Sequence, residues 1–168
     1  MSYINAIDTD DLVNPSSNRK YDLGAKFVDY NDTNAINKEY VYAKAHGALT
    51  QYQPYQLSVL NTAGAEVSTK APATTASGAT VVVPQVAVSS GYYAWFLVKG
   101  VGTVLTTDTF AAGDYAEVLN AGTGLKLDGG VSGSTAEGAG SVGIATTATS
   151  GGSASFVLSG NVVAVAAS

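Results

Sequence analysis

The stretch YYAWFLVKG, Tyr92 to Gly100, holds seven consecutive apolar or aromatic side chains before Lys99 and Gly100 end the run. It is far short of the roughly 18 residues that a membrane-spanning helix needs. A strand covered on both faces reads this way, because neither side of its pleat can be left to water. Reading outward from it, strand signals recur every 8–12 residues or so. Downstream lie VLTT (Val104–Thr107), YAEVL (Tyr115–Leu119) and LKLD (Leu125–Asp128), each bounded by Gly, Asp or Asn. In LKLD the alternation predicts Leu125 and Leu127 inward, Lys126 and Asp128 outward. VGIATTA (Val142–Ala148) and SASFVLSG (Ser153–Gly160) flank TSGG, a hairpin signal. There Gly151-Gly152 makes the turn, Ala154, Phe156 and Leu158 share an inward face, and Gly160 permits a bulge or a close backbone approach. NVVAVA (Asn161–Ala166) supplies a last strand.

Upstream the same period holds. EYVYAKA (Glu39–Ala45) sets Tyr40, Tyr42 and Lys44 against Val41, Ala43 and Ala45. AKFVDY (Ala25–Tyr30) and YQLSVL (Tyr55–Leu60) are further strands, and NTAGAE (Asn61–Glu66) is a hairpin turn. In TVVVPQVAV (Thr80–Val88), Pro84 removes a ladder donor and places that segment at an edge, bulge or break. Helical spacing is nearly absent: Ala45–Gln53 offers one turn at most, limited by Gly47 and Pro54. The fold class is therefore all-β, a compact antiparallel β-barrel or sandwich. Residues 1–22 have no sustained period and contain VNPSSNRK, a loop signal. They are expected to form an extended N-terminal arm, anchored by Tyr3, Ile4, Ile7, Leu12 and Val13, outside a β body of residues 23–168. A low-complexity stretch, STKAPATTASGAT (Ser68–Thr80), either divides that body near residues 71–80 or is a long surface loop.

A chain of 168 residues can bury a real core, and 46% hydrophobic composition fits a globular domain. Only 12% of residues are charged, about half the usual share, so the surface is polar but weakly charged and tolerates crowding. Residues 1–44 hold 12 of the 21 charges, and seven of the ten tyrosines lie at or before Tyr55. That bias makes the N-terminal quarter the candidate contact region. A net charge of −5, with Arg19-Lys20 as the single basic pair, argues against nucleic acid. Without cysteine there are no disulfides, thiolate metal sites or cysteine nucleophile. MSYINAIDTDD has neither a basic nor an apolar leader region, so a protein made in the cytoplasm, with no membrane partner, is expected.

Little in the chain points to catalysis. His46 is the single histidine, and a polar residue at a strand end is its natural reading. Asp108, Asp114 and Glu117 cluster in sequence, but the first two read as turn residues and Glu117 as an outward strand position. DYNDTNAINKEY (Asp29–Tyr40) fails the calcium-loop register, with Asn34 sixth and Tyr40 twelfth. DTDD (Asp8–Asp11) reads as a solvated acidic turn. Catalysis needs titratable groups in tuned surroundings. With nine charges and one histidine in residues 45–168, no enzyme activity, cofactor or metal is expected.

The C-terminal SVGIATTATSGGSASFVLSGNVVAV (Ser141–Val165) resembles the ending of a phage capsid cement, or head decoration, family. The matching positions are Gly143, Ile144, Ala145, Gly152, Val157, Leu158, Gly160 and Val162. VKGVGTVLTT with AAGDYAEV is similar to that family's preceding hairpin, and LGAKFVDYNDTNAINKEYVYAKAHGAL is similar to the start of head-associated proteins of tailed phages. The resemblance spans roughly residues 23–168. It implies a structural virion protein on the outer capsid surface, bound to the major capsid protein as a homo-oligomer, a trimer being favoured, that stabilises the mature head. The expected contacts are Tyr3, Ile4, Tyr21, Tyr30, Tyr40 and Tyr42, since tyrosine offers large contact area at low entropy cost. Tyr40 and Tyr42 fit packing inside the body equally well. The alternative is a tail- or fibre-associated receptor- or glycan-binding module using Tyr92, Tyr93 and Trp95, three residues that otherwise read as core. Removal of residues 1–22 is expected to weaken attachment and leave the body folded.

Overall fold

The fold is known from a computed structural model, which describes residues 3–4, 7–30, 36–58, 64–69, 79–118, 124–127, 141–149 and 152–160. Among the described residues eleven strands form one mixed sheet system, and the single helical element is a 3-10 turn at Thr9–Leu12. No described helix is long and apolar enough to cross a membrane. The all-β reading holds.

The apolar run sits in the longest strand, β7 (Tyr93–Thr106). Its first half pairs antiparallel with β3 (Lys38–Ala45), with Tyr42 opposite Trp95 and Val41 opposite Phe96. Both strands are covered on both faces. Tyr40, Tyr42, Trp95 and Leu97 face one core, while Val41, Ala43, Ala94, Phe96 and Val98 face a second. The second core is completed by β4 (Tyr55–Ser58), β5 (Glu66–Val67) and β6 (Thr80–Val82). The strands flanking NTAGAE pair antiparallel, with Leu57 opposite Val67 across β4 and β5, while residues 61–63 of that turn lie outside the described residues. Pro84 follows directly on Val83, which bridges to Leu97, and the strand breaks there before the segment pairs again at Val88, opposite Leu49.

The second half of β7 changes partner. From Gly100 to Thr106 it pairs with β11 (Gly152–Leu158), which pairs with β10 (Ser141–Ala145), then β8 (Tyr115–Val118) and β9 (Leu125–Leu127). The sequence places a break at Lys99-Gly100, yet the strand runs on. Gly100 has φ +96, and a Cβ there would lie 2.5 Å from the Asn37 carbonyl oxygen, so the strand bends without ending. A Cβ at Gly102 would lie 2.1 Å from Leu97 Cδ2, so a side chain there would force Leu97 to move.

Two details of the expected architecture are corrected. The sheet is mixed rather than antiparallel: β1 (Tyr3–Ile4) runs parallel to β2 (Lys26–Asp29), β3 to β5, and β7 to β9. It is also not closed into a barrel. On either side of β7 the pairings turn back toward it, but through one residue pair each, Val83 with Leu97 and Thr106 with Leu125.

The inward face expected for the C-terminal hairpin is as read: Ala154, Phe156 and Leu158 are buried, and Phe156 meets Phe110 edge-on at 5.1 Å. Gly160, at φ +89, lies against Val98 and accepts a hydrogen bond from the Val81 amide. Asp114 is a buried turn residue whose carboxylate accepts from the Ala111 amide at 2.7 Å. Glu117 is not outward in effect. β8 is an interior strand, and Glu117 lies between Ser141 and Lys126 in register, so neighbours on both sides cover it to 8% exposure. Ala45–Gln53 forms no helix; Tyr52 there takes φ +66, its amide donating to Pro84 and its carbonyl accepting from Leu105. The Gly151 part of the turn, the last strand NVVAVA, and residues 71–78 lie outside the described residues, as do the side chains of Lys126 and Leu127.

Candidate functional site

The tyrosine-rich N-terminal quarter folds from local chemistry first. Asp8 caps the 3-10 turn, its carboxylate accepting from the Asp10 amide at 3.0 Å. DTDD is thus a capped acidic turn. The chain then crosses β7 at one point, where Ser16 and Tyr93 exchange backbone hydrogen bonds of 2.9 and 2.8 Å. Arg19 pairs with Asp22 at 2.8 Å on the exposed side. Within the segment read as an arm, Ile7, Leu12 and Tyr21 pack against the first core.

Asp11 gathers the polar contacts of this segment. Its carboxylate pairs with the Lys20 ammonium and accepts from the Tyr21 hydroxyl at 2.6 Å. The Lys20 amide in turn donates to the Tyr42 hydroxyl at 3.0 Å. The hydrogen bonds from Lys20 and Tyr21 hold the Asp11 carboxyl below its usual range, and Asp11 raises Lys20 in return. The Asp11 hydrogen bond, together with burial, pushes Tyr21 up to about 12; burial raises Tyr42.

Beneath this network is an aromatic stack. The Tyr21 ring meets Tyr42 edge-on at 5.1 Å and Trp95 at 5.2 Å; Phe27 lies 6.2 Å from Trp95 and stacks with Tyr40 at 6.3 Å. Each such pair adds about 0.5–1.5 kcal/mol beyond area burial. Trp95 is 2% exposed, and its Nε1 has no hydrogen-bond partner among the described residues.

The six expected contact residues therefore do not share one surface. Tyr40 and Tyr42 are core residues, 8% and 2% exposed, because β3 is covered on both faces. Tyr21 is half-buried in the stack. Tyr3 and Ile4 form β1 on the outside of β2, and their side chains lie outside the described residues. Of the four whose side chains are described, Tyr30 alone stands out, 73% exposed. It follows Asp29, which pairs with Lys38 at the end of the β2–β3 ladder, and Ile36, 38% exposed, precedes Lys38 at the same end. Sequence reading passed over Ile36; the signal was a lone apolar residue inside a polar turn. Val13 is also exposed. Of the three aromatic residues in the glycan alternative, Trp95 is buried and Tyr93 half-buried, which leaves Tyr92 at the surface.

Elsewhere the titratable groups are placed as structural elements. His46 lies just past β3 and is exposed, its Nδ1 3.3 Å from Glu66. Lys26 pairs with Glu39 across β2 and β3. Among the described residues no group of three or more His, Asp and Glu is placed to hold a metal ion. Part of the calcium-like stretch, residues 31–35, lies outside them.

No protein-family model and no curated protein matches the sequence. Among solved structures the fold is similar to the head fiber gp8.5 N base of bacteriophage phi29, with a TM-score of 0.51 and 16% identity. The likeness covers 75% of this chain and 98% of that one, so nearly the whole of the fibre base corresponds to three quarters of this fold.

Proposed function

We propose that the chain is a structural protein of a tailed-phage head, bound to the outer surface of the capsid, where it stabilises the mature shell. The observation that carries this reading is the likeness to a head fibre base over nearly all of that base. The weakly charged composition supports it, since a surface with 12% charged residues packs closely against neighbours at little electrostatic cost. The mechanism is mass action: a ligand that binds the assembled lattice stabilises it by its binding free energy, and many copies add modest contributions. The partner is the major capsid protein, and the chain works as a homo-oligomer, a trimer being the state we favour. Tyr30 and Ile36, both exposed at the loop end of the β2–β3 hairpin, are the contact we place first, with β1 as the neighbouring edge. No catalysis, cofactor or nucleic acid enters this reading.

A second reading follows from the same likeness: the chain is the base of a fibre whose outer part binds a receptor or glycan. Copy number separates the two. Purified particles are compared by quantitative mass spectrometry for this chain and the major shell protein. A lattice-compatible ratio in the hundreds of copies supports decoration. Fewer copies, each carrying an elongated projection in electron micrographs, support the fibre base. Absence from particles overturns both.

A further inference from the structure

We propose that residues 7–22 act as a strap that lifts off the body as a unit while β3 and β7 stay paired, with Asp11 as its catch, and that lifting bares an aromatic surface of Phe27, Tyr42, Tyr93 and Trp95. The proposal is independent of where the protein is attached.

Three features carry it. The strap is fastened at few points: one exchange of backbone hydrogen bonds, Ser16 with Tyr93, one from the Lys20 amide to Tyr42, and the Asp11 carboxylate that ties Lys20 and Tyr21 together. The ladder beneath does not depend on it, because Tyr42 pairs with Trp95, and Lys44 with Tyr93, across β3 and β7. The third feature is the Trp95 indole. Its Nε1 is buried without a hydrogen-bond partner among the described residues, and the rings of Tyr21, Phe27 and Tyr42 pack near the indole. Closing the strap takes that N–H out of water without a described hydrogen-bond partner in return. Apolar packing of Ile7, Leu12 and Tyr21 therefore closes the strap against an uncompensated polar group, which lowers the work of opening.

Both ends stay tethered. β1 pairs with Lys26 and Phe27, and Gly24 and Ala25 bond to Tyr42, so the strap lifts as an arch rather than a free tail. Tyr21 is the lid of the stack, and Asp11 holds Tyr21 down. Removing the Asp11 charge, or the Tyr21 hydroxyl, weakens the catch without touching the ladder.

The test uses the full chain and its single tryptophan. Asp11→Asn and Tyr21→Phe are compared with wild type and with Asp10→Asn, an exposed neighbour on the same turn. Amide exchange is measured by NMR, and Trp95 accessibility by acrylamide quenching. In both variants the Ser16, Lys20 and Tyr93 amides should exchange about tenfold faster and quenching should rise, while the Leu97 amide stays within about twofold. Asp10→Asn should match wild type. Unchanged strap exchange in both variants overturns the proposal. So does equal acceleration at Leu97, which would make the opening global. Loss of folding in both variants would also overturn it, since Asp11 would then belong to the core and not to a catch.

Discussion

At the scale of single residues, Asp11 sets the pH limits of the N-terminal quarter. Its folded pKa lies below the ordinary 3.8, so its share of stability is present above that value and is lost as pH falls through the folded one. Tyr21 is raised from 10.0 to about 12. Its share is full below pH 10 and is lost as pH rises toward 12, the window in which the unfolded chain ionises first. Lys20, also raised, adds to the alkaline loss above its ordinary 10.5. Urea midpoints followed by Trp95 fluorescence should therefore fall below about pH 4 and above about pH 10, and Asp11→Asn should flatten both limbs. A variant as pH-sensitive as wild type would remove Asp11 from this role. Gly100 makes a sharper residue-level case. Gly100→Ala combines a positive φ with a contact against the Asn37 carbonyl and should cost at least about 2 kcal/mol in denaturant titration.

At the scale of elements, β7 is shared: its first half pairs with β3 and its second with β11, while Trp95 and Phe156 belong to one core, so the two sides are expected to unfold together. Phe156→Ala, in the group built on β11, should cost about 3–5 kcal/mol. It should also shift the fluorescence transition of Trp95, which lies in the other half of β7, together with the far-UV dichroism transition. Separate transitions would show two independent units. Legibility divides at the same strand. Tyr92–Val98 announced a doubly covered strand because period and composition are local properties. The inward set Ala154, Phe156 and Leu158 was legible for the same reason. Continuation through Gly100 was not, since glycine marks a stop and a bend with the same letter. The parallel pairing of β3 with β5 depends on how residues 46–65 return, which no side-chain alternation records. Glu117 misled because alternation tells which face a residue points to, and not what covers that face.

At the scale of the whole molecule, the all-β class was readable from the strand period, and the composition of the N-terminal quarter is what directs the proposed contact there. Which tyrosines were available was not readable. Tyr40, Tyr42 and Tyr30 have the same chemistry, and burial by the partner strand decides among them. Tyr30→Ala should leave stability within about 0.5 kcal/mol and weaken attachment to purified heads about tenfold, measured by cosedimentation. Equal binding would move the contact elsewhere. Deletion of residues 1–22 now carries a different expectation from the sequence alone: it removes Tyr21 from Trp95, so stability should fall along with attachment.

The shared strand also has a consequence in time. Its first half can pair with β3 as soon as residue 99 has been synthesised, because residues 39–44 are already made. Its second half waits for residues 152–158, about fifty positions later. At ordinary translation rates that delay is roughly 3–10 s. Through it the nascent chain presents an unpaired strand edge from Gly100 to Thr106. Many copies made side by side would offer that edge to one another, so a host that translates this message slowly, or on crowded polysomes, should give more aggregated product than one that finishes the chain quickly.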